Sequence, residues 1–264
     1  MKTSLRKCRG TLLAVVSSCL CIGSVYAGSA EDAWVKLVGE KFSERPEFAF
    51  VENDPALPNV LIYGDSISIH YTERLREKMA GKANVYRLYC NGGDSGTFIK
   101  KMTYMHKVMG SKRLDTPWDF QWDVIQFNVG LHDLKYLSGR KLDKVNGEQV
   151  SSIETYKENL GNIVSYLKEL APQASLIFAT TTPVAPDEAG RKEGDSEKYN
   201  AAAREVLEKH PEIVINDLFA FTKPHHSEWW IAPDNVHYNE AGYQAQGDEV
   251  ARVIRGVLAA NGKK

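Results

Sequence analysis

Three segments far apart in the chain carry side chains that together suit acyl transfer. Gly64-Asp65-Ser66 follows the apolar run Val60-Leu61-Ile62-Tyr63. Ser66 therefore stands on the turn where a buried strand ends, its backbone fixed and its hydroxyl facing the open edge where ligands bind in parallel α/β sheets. Near the other end is Pro233-Asp234-Asn235-Val236-His237. An Asp three residues before a His on a short loop lets the carboxylate accept from one imidazole nitrogen while the other faces a serine. That fixes the tautomer and stabilises the imidazolium formed when the serine loses its proton. Between them lie Asn91-Gly92-Gly93-Asp94-Ser95-Gly96, a glycine-rich turn able to aim a backbone N–H at a developing oxyanion, and Gly130-Leu131-His132-Asp133, which adds a side-chain donor. Losing one such donor typically costs about 2.7–4 kcal/mol of barrier. Taken singly these segments are weak, because Gly, Asp and Ser are ordinary turn formers and a lone D-x-x-H arises easily in loops.

The elements that must position them are legible as five short apolar runs: Val60–Tyr63, Val85–Cys90, Val124–Val129, Leu176–Thr181 and Ile213–Ile215. Helical periodicity fills the intervals. It is clearest over Ser151–Ala171, where Ser151 and Glu154 read as a capping box, and over Glu240–Leu258, with Asn239 as cap. Alternating strands and helices predict an α/β fold with right-handed crossovers and a parallel sheet covered on both faces. Lys107–Trp122, Lys135–Gln149 and Pro183–Asp195 read as irregular, and the last two, which follow strand ends, are expected to shape substrate choice.

Lys2, Arg6, Lys7 and Arg9, the uncharged stretch Thr11–Val25 and the small residues around Ala27 predict a signal peptide over residues 1–27. The stretch is shorter than the roughly 20 residues of a spanning helix, and Val16 stands where a lipoprotein signal usually has Leu, so a secreted or periplasmic protein is expected over an anchored one. Residues 28–264 then form a single domain. Cleavage removes four basic residues and no acidic one, leaving 29 Lys and Arg against 34 Asp and Glu, a net charge of −5. That balance gives no electrostatic footprint for nucleic acid or anionic lipid. It also removes Cys8, Cys19 and Cys21, so the remaining Cys90 has no disulfide partner within the chain and reads as a buried thiol.

The four blocks, in this order and at these strand ends, make the chain resemble the SGNH (GDSL) hydrolase family over nearly all of residues 28–264. The resemblance implies a three-layer α/β/α sandwich around a mainly five-stranded parallel sheet of flavodoxin-like order 2-1-3-4-5. It implies Ser66 as nucleophile, His237 as general base and acid, Asp234 as its orienter, and an oxyanion hole from the Ser66 N–H, the Gly96 N–H and the side chain at 132. No cofactor is implied. One position departs: the family's third block reads G-x-N-D, and His132 stands where asparagine should. Neutral imidazole still offers one N–H, provided Asp133 or another acceptor sets the tautomer. Asn128 is a spare amide nearby.

Asp65, Asp94, Thr97 and Trp230 are candidate substrate contacts. Thr180-Thr181-Thr182 could line the crevice floor, and Trp229-Trp230 could form a sugar-stacking wall or pack on the last helix. His225-His226 has no carboxylate or cysteine partner at ligand spacing, so no metal site is expected. The leading expectation is a secreted esterase acting on small esters, chiefly O-acetyl groups of polysaccharide. A lysophospholipase or lipase would want a long apolar loop near the motifs, and none is evident. A non-catalytic carbohydrate-binding protein would need none of Ser66, Asp234 and His237. A flavodoxin-like nucleotide binder would want a glycine-spaced phosphate loop after the first strand, which is missing. The oligomeric state is not legible.

Overall fold

The runs around Ile62 and Ile125 are apolar at consecutive positions because those strands have no solvent face. In the computed structural model, which describes residues 28–262, Asn59–Tyr63 forms β1, Asn84–Arg87 β2 and Val124–Phe127 β3, with every residue buried. Three short strands follow, Tyr136–Ser138 (β4), Lys141–Leu142 (β5) and Glu148–Gln149 (β6). Ser175–Ala179 (β7) and Val214–Asn216 (β8) complete the count among the described residues. The main sheet runs β2-β1-β3-β7-β8, parallel throughout, which is the expected order 2-1-3-4-5.

Nine α-helices are described: Ala30–Val38 (α1), Glu40–Ser43 (α2), Ser66–Met79 (α3), Phe98–Met109 (α4), Ile153–Leu170 (α5), Asp195–Leu207 (α6), Leu218–Thr222 (α7), His226–Trp229 (α8) and Glu240–Ala260 (α9). α3 packs on α9, while α4 and α5 pack together, with α1 against α4 and α6 against α5. This gives helix, sheet and helix layers. Tyr156, Leu160, Ile163, Val164 and Leu167 form the buried stripe of α5, and Val250, Ile254 and Leu258 that of α9.

Several boundaries differ from expectation. The cap of α5 is Ser152, which accepts from the Thr155 N–H, while Ser151 is buried and its carbonyl accepts from the Tyr199 hydroxyl. Asn239 caps α9 as expected, accepting from the Gly242 N–H. β2 ends at Arg87, and the chain bends so that Cys90 is only partly buried. Residues 135–149 are not irregular: β4, β5 and β6 form an antiparallel sheet of order β5-β4-β6. Strands of two or three residues are too short to carry a period. This small sheet is clasped to the 183–195 loop, with the Tyr136 N–H donating to Gly190 O (2.7 Å) and the Lys144 N–H to Ala189 O (3.0 Å). The expected signal peptide lies outside the described residues.

Candidate active site

Ser66 is the first residue of α3. The Asp65 carboxylate, expected as a substrate contact, is buried and caps the helix by accepting from the Ile67 N–H at 2.9 Å. Burial pushes the Asp65 carboxyl above its ordinary range. The cap leaves the Ser66 N–H among the unpaired donors of a helix start, pointing where negative charge is favoured. Gly64 is needed because a Cβ there would lie 2.8 Å from Ser68 Cβ, too close for the strand to enter the helix along this path.

His237 comes from the opposite end of the chain. Its flanking residues Val236 and Tyr238 are buried, a bridge pairs Trp230 with Tyr238, and the Asn239 N–H donates to Trp229 O at 2.7 Å. Trp229 stacks on His225 with ring centroids 4.1 Å apart, and Trp230 on His226 at 3.9 Å. Both tryptophans thus brace the loop, Trp229 also lying against α9 at Gly242. The loop brings His237 Nε2 to 2.8 Å from Ser66 Oγ.

The partner of the other ring nitrogen is not the expected one. Asn235 Oδ1 lies 2.7 Å from His237 Nδ1 and also accepts the His237 backbone N–H at 3.0 Å. Asp234 is exposed and makes no contact with the ring. The physical reason is local: a side chain two residues before the histidine closes an Asx turn onto its N–H, which leaves the same oxygen beside Nδ1. With Oδ1 as acceptor, Nδ1 carries the ring proton and Nε2 is free to accept from the serine. His70, one turn beyond Ser66 on α3, lies with its ring 5.5 Å from that of His237. Burial, then the charges of His70, Arg191 and Lys135, hold His237 below its ordinary pKa. His70 escaped the sequence reading, although its i+4 spacing from Ser66 was a usable signal.

The second and third blocks are tied together by Asp133. It accepts from the Ser95 N–H at 3.0 Å and from Ser95 Oγ at 2.5 Å, and burial raises its carboxyl to about 6. Asp133 is therefore turned toward Ser95 and does not set the tautomer of His132. That role falls to a donor: Lys135 Nζ lies 2.9 Å from His132 Nδ1. Burial, then the charges of Lys135, Arg191, Lys101 and His237, push His132 down to about 3. Gly130 allows the turn, since its φ is +138° and a Cβ would sit 2.1 Å from Thr181 Oγ1. Asn128 is not spare, because its Nδ2 donates to Ala179 O at 2.8 Å.

Gly96 is exposed on the short 3-10 turn Ser95–Thr97. Thr97 Oγ1 is bound within the turn, donating to Asp94 O (2.9 Å) and Gly92 O (3.1 Å), while Asp94 is partly exposed beside Gly96. Thr180, Thr181 and Thr182 are all buried, with Thr180 Oγ1 bonded to Asp217 and Thr181 Oγ1 to Val129 O. They are framework. Beneath the Ser66 turn a void of about 10 Å³ is lined by Asp65, Ser68, Tyr71, Asn128 and Leu131. Among the described residues no group of three or more His, Cys, Asp or Glu is arranged to hold a metal ion.

The 183–195 loop reaches under the third block. Arg191 Nε donates to Leu131 O at 2.8 Å and its Nη1 to Glu188 Oε1 at 2.6 Å, with both side chains about 6% exposed. This loop was expected to face substrate, but its charged pair is buried.

The sequence pattern of GDSL-like lipases and acylhydrolases matches residues 62–245, and the chain belongs to that family. It is a serine-type carboxylic ester hydrolase. Among solved structures, a lipase/acylhydrolase from Enterococcus faecalis superposes with a TM-score of 0.55 at 18% identity, covering 75% of this chain and 96% of its own. Axe2, an acetylxylan esterase from Geobacillus stearothermophilus, superposes with a TM-score of 0.54 at 16% identity, covering 75% of this chain and 94% of its own. At such identities the likeness is one of fold. A comparison with proteins of curated description gives no match.

Proposed function

We propose that the chain is an exported esterase that removes short acyl groups, chiefly acetyl, from carbohydrate, with Ser66 as nucleophile and His237 as base. The observation that carries this reading is the 2.8 Å contact between His237 Nε2 and Ser66 Oγ at the start of α3. Ser66 Oγ attacks the acyl carbon as its proton passes to Nε2, and the imidazolium is held at Nδ1–H by the Asn235 amide oxygen. The carbonyl oxygen becomes an oxyanion that accepts from the Ser66 N–H, the Gly96 N–H and the His132 ring. The tetrahedral intermediate expels the alcohol, which takes the proton from His237. Water then gives its proton to His237, attacks the acyl-serine and releases the carboxylic acid, regenerating Ser66.

Short acyl groups, acetyl above all, are supported by the fold shared with an acetylxylan esterase. The carbohydrate alcohol is supported by the same shared fold and by the net charge of −5 that removal of residues 1–27 would leave, which gives no pull toward anionic lipid. Export rests on the signal-like residues 1–27. Hydrolysis of p-nitrophenyl acetate by the wild type but not by Ser66→Ala is the expected result, and equal rates for the two would overturn the assignment. Acetate release from acetylated xylan should exceed fatty-acid release from a lysophospholipid. The reverse order would favour the lipase reading.

A further inference from the structure

We propose that Lys135 is the positioning residue of the oxyanion site, fixing His132 as a neutral imidazole whose proton sits on Nε2. This rests on the esterase reading above and adds to it the reason a histidine can stand where the family has an asparagine. An asparagine amide presents its N–H groups without any choice of protonation state. A histidine has two neutral tautomers and a cation, and a fixed donor at one defined atom requires that one of these be selected.

The selection is written in the contacts of His132. An ammonium group has three donors and no acceptor, so Lys135 Nζ at 2.9 Å from Nδ1 requires a lone pair on that nitrogen. The ring proton is then on Nε2, the atom opposite. The usual device, an acceptor pulling the proton to the nearer nitrogen, is ruled out because Asp133 is turned away onto Ser95.

Lys135 is itself held in place. It precedes β4, its carbonyl accepts the Val150 N–H at 2.8 Å, and burial, then Arg191, brings its amine down to about 8 against the opposing charges of Asp65, Glu188 and Asp94, which leaves it an ammonium at neutral pH. Around His132 stand the charges of Lys135, Arg191, Lys101 and His237, all opposing an imidazolium there. His132 thus stays neutral while His237 cycles between its two states. The two histidines divide the work that asparagine and one histidine share elsewhere in the family, and they do not compete for a proton.

The test is a pair of cycles read two ways. Lys135→Met is expected to lower kcat on p-nitrophenyl acetate by about tenfold or more, with KM nearly unchanged, since a donor acting only on the oxyanion is lost. In a His132→Asn background, where no tautomer needs selecting, the same substitution should change kcat less than twofold. An equal loss in both backgrounds would overturn the proposal, because Lys135 would then act without His132. Independently, nitrogen NMR of the histidine rings should show His132 with a proton on Nε2 and none on Nδ1 in the wild type and in Lys135→Arg. A proton on Nδ1 would overturn the proposal whether or not the enzyme turns over. Failure of the esterase reading would show instead as hydrolysis that does not depend on Ser66. Should Lys135→Met not fold, Lys135→Arg and the wild-type spectrum still decide the matter.

Discussion

The orienting group of His237 gives the sharpest prediction. In the structure the Asn235 oxygen, 2.7 Å from Nδ1, holds the ring, and Asp234 faces solvent. Before the reaction this is a neutral hydrogen bond worth about 1 kcal/mol, and against an imidazolium it is worth about 1.5–3 kcal/mol. The difference of about 0.5–2 kcal/mol exists only in the transition state and corresponds to roughly 2–30-fold in kcat. Loss of the tautomer preference adds to it, so Asn235→Ala should lower kcat by about 10–100-fold with little change in KM. Asp234→Ala should change kcat less than about twofold, since its side chain touches neither ring nor substrate donors.

Asn235→Asp is the informative third variant. A carboxylate about 4 Å from the imidazolium centre interacts by about 4 kcal/mol at an effective dielectric constant near 20, and roughly half of that survives in a half-exposed site. This raises the pKa of His237 and moves the acid limb of the kcat/KM profile to higher pH. Steady-state hydrolysis of p-nitrophenyl acetate across pH measures all three. A hundredfold loss in Asp234→Ala together with a mild effect of Asn235→Ala would refute the reasoning and return the role to the carboxylate.

Because burial and the charges of His70, Arg191 and Lys135 lower the pKa of His237, the base stays unprotonated below the ordinary histidine range near 6.5, and kcat/KM should fall only as pH drops through that lowered value. His70→Gln removes one of these charges and should shift the fall to higher pH. Arg191→Met strands the Glu188 carboxylate in a site about 6% exposed, and urea unfolding should show a loss of about 3–5 kcal/mol. Adding Glu188→Leu should restore most of it. Asp65→Ala deletes the cap of α3 and should lower stability by about 1 kcal/mol, while also loosening the turn that carries Ser66, visible as a drop in kcat.

Much of this was legible in the sequence, for identifiable reasons. β1 and β3 announce themselves as unbroken apolar runs because both faces are covered, and the stripes of α5 and α9 repeat because each helix has one covered face. Ser66 and His237 were readable because each follows or precedes such an element at a fixed offset. What stayed hidden depends on which rotamer a loop side chain adopts. Asp234 and Asn235 are adjacent and both able to accept, and only the folded turn decides between them. The same holds for Asp133 and Lys135 around His132, where sequence offers an acceptor and the fold supplies a donor. The β4-β5-β6 sheet was invisible because strands of two or three residues carry no period, and the 183–195 loop that clasps it lies 40 residues and more away.

The loop that carries His237 has a consequence of its own. Ser66 is built into the sheet and α3, among the most deeply packed parts of the chain, whereas the base hangs on a segment that enters the core only through Val236 and Tyr238 and is otherwise held by two stacked tryptophans, one bridge and the cap of α9. The two halves of the site therefore belong to regions of unequal stability. On warming, the His237 segment should release while the sheet persists, so hydrolysis should fade at temperatures where far-ultraviolet circular dichroism is still unchanged, and should return on cooling. The enzyme would carry a reversible thermal cut-out that lies in the anchoring of its base, well short of unfolding.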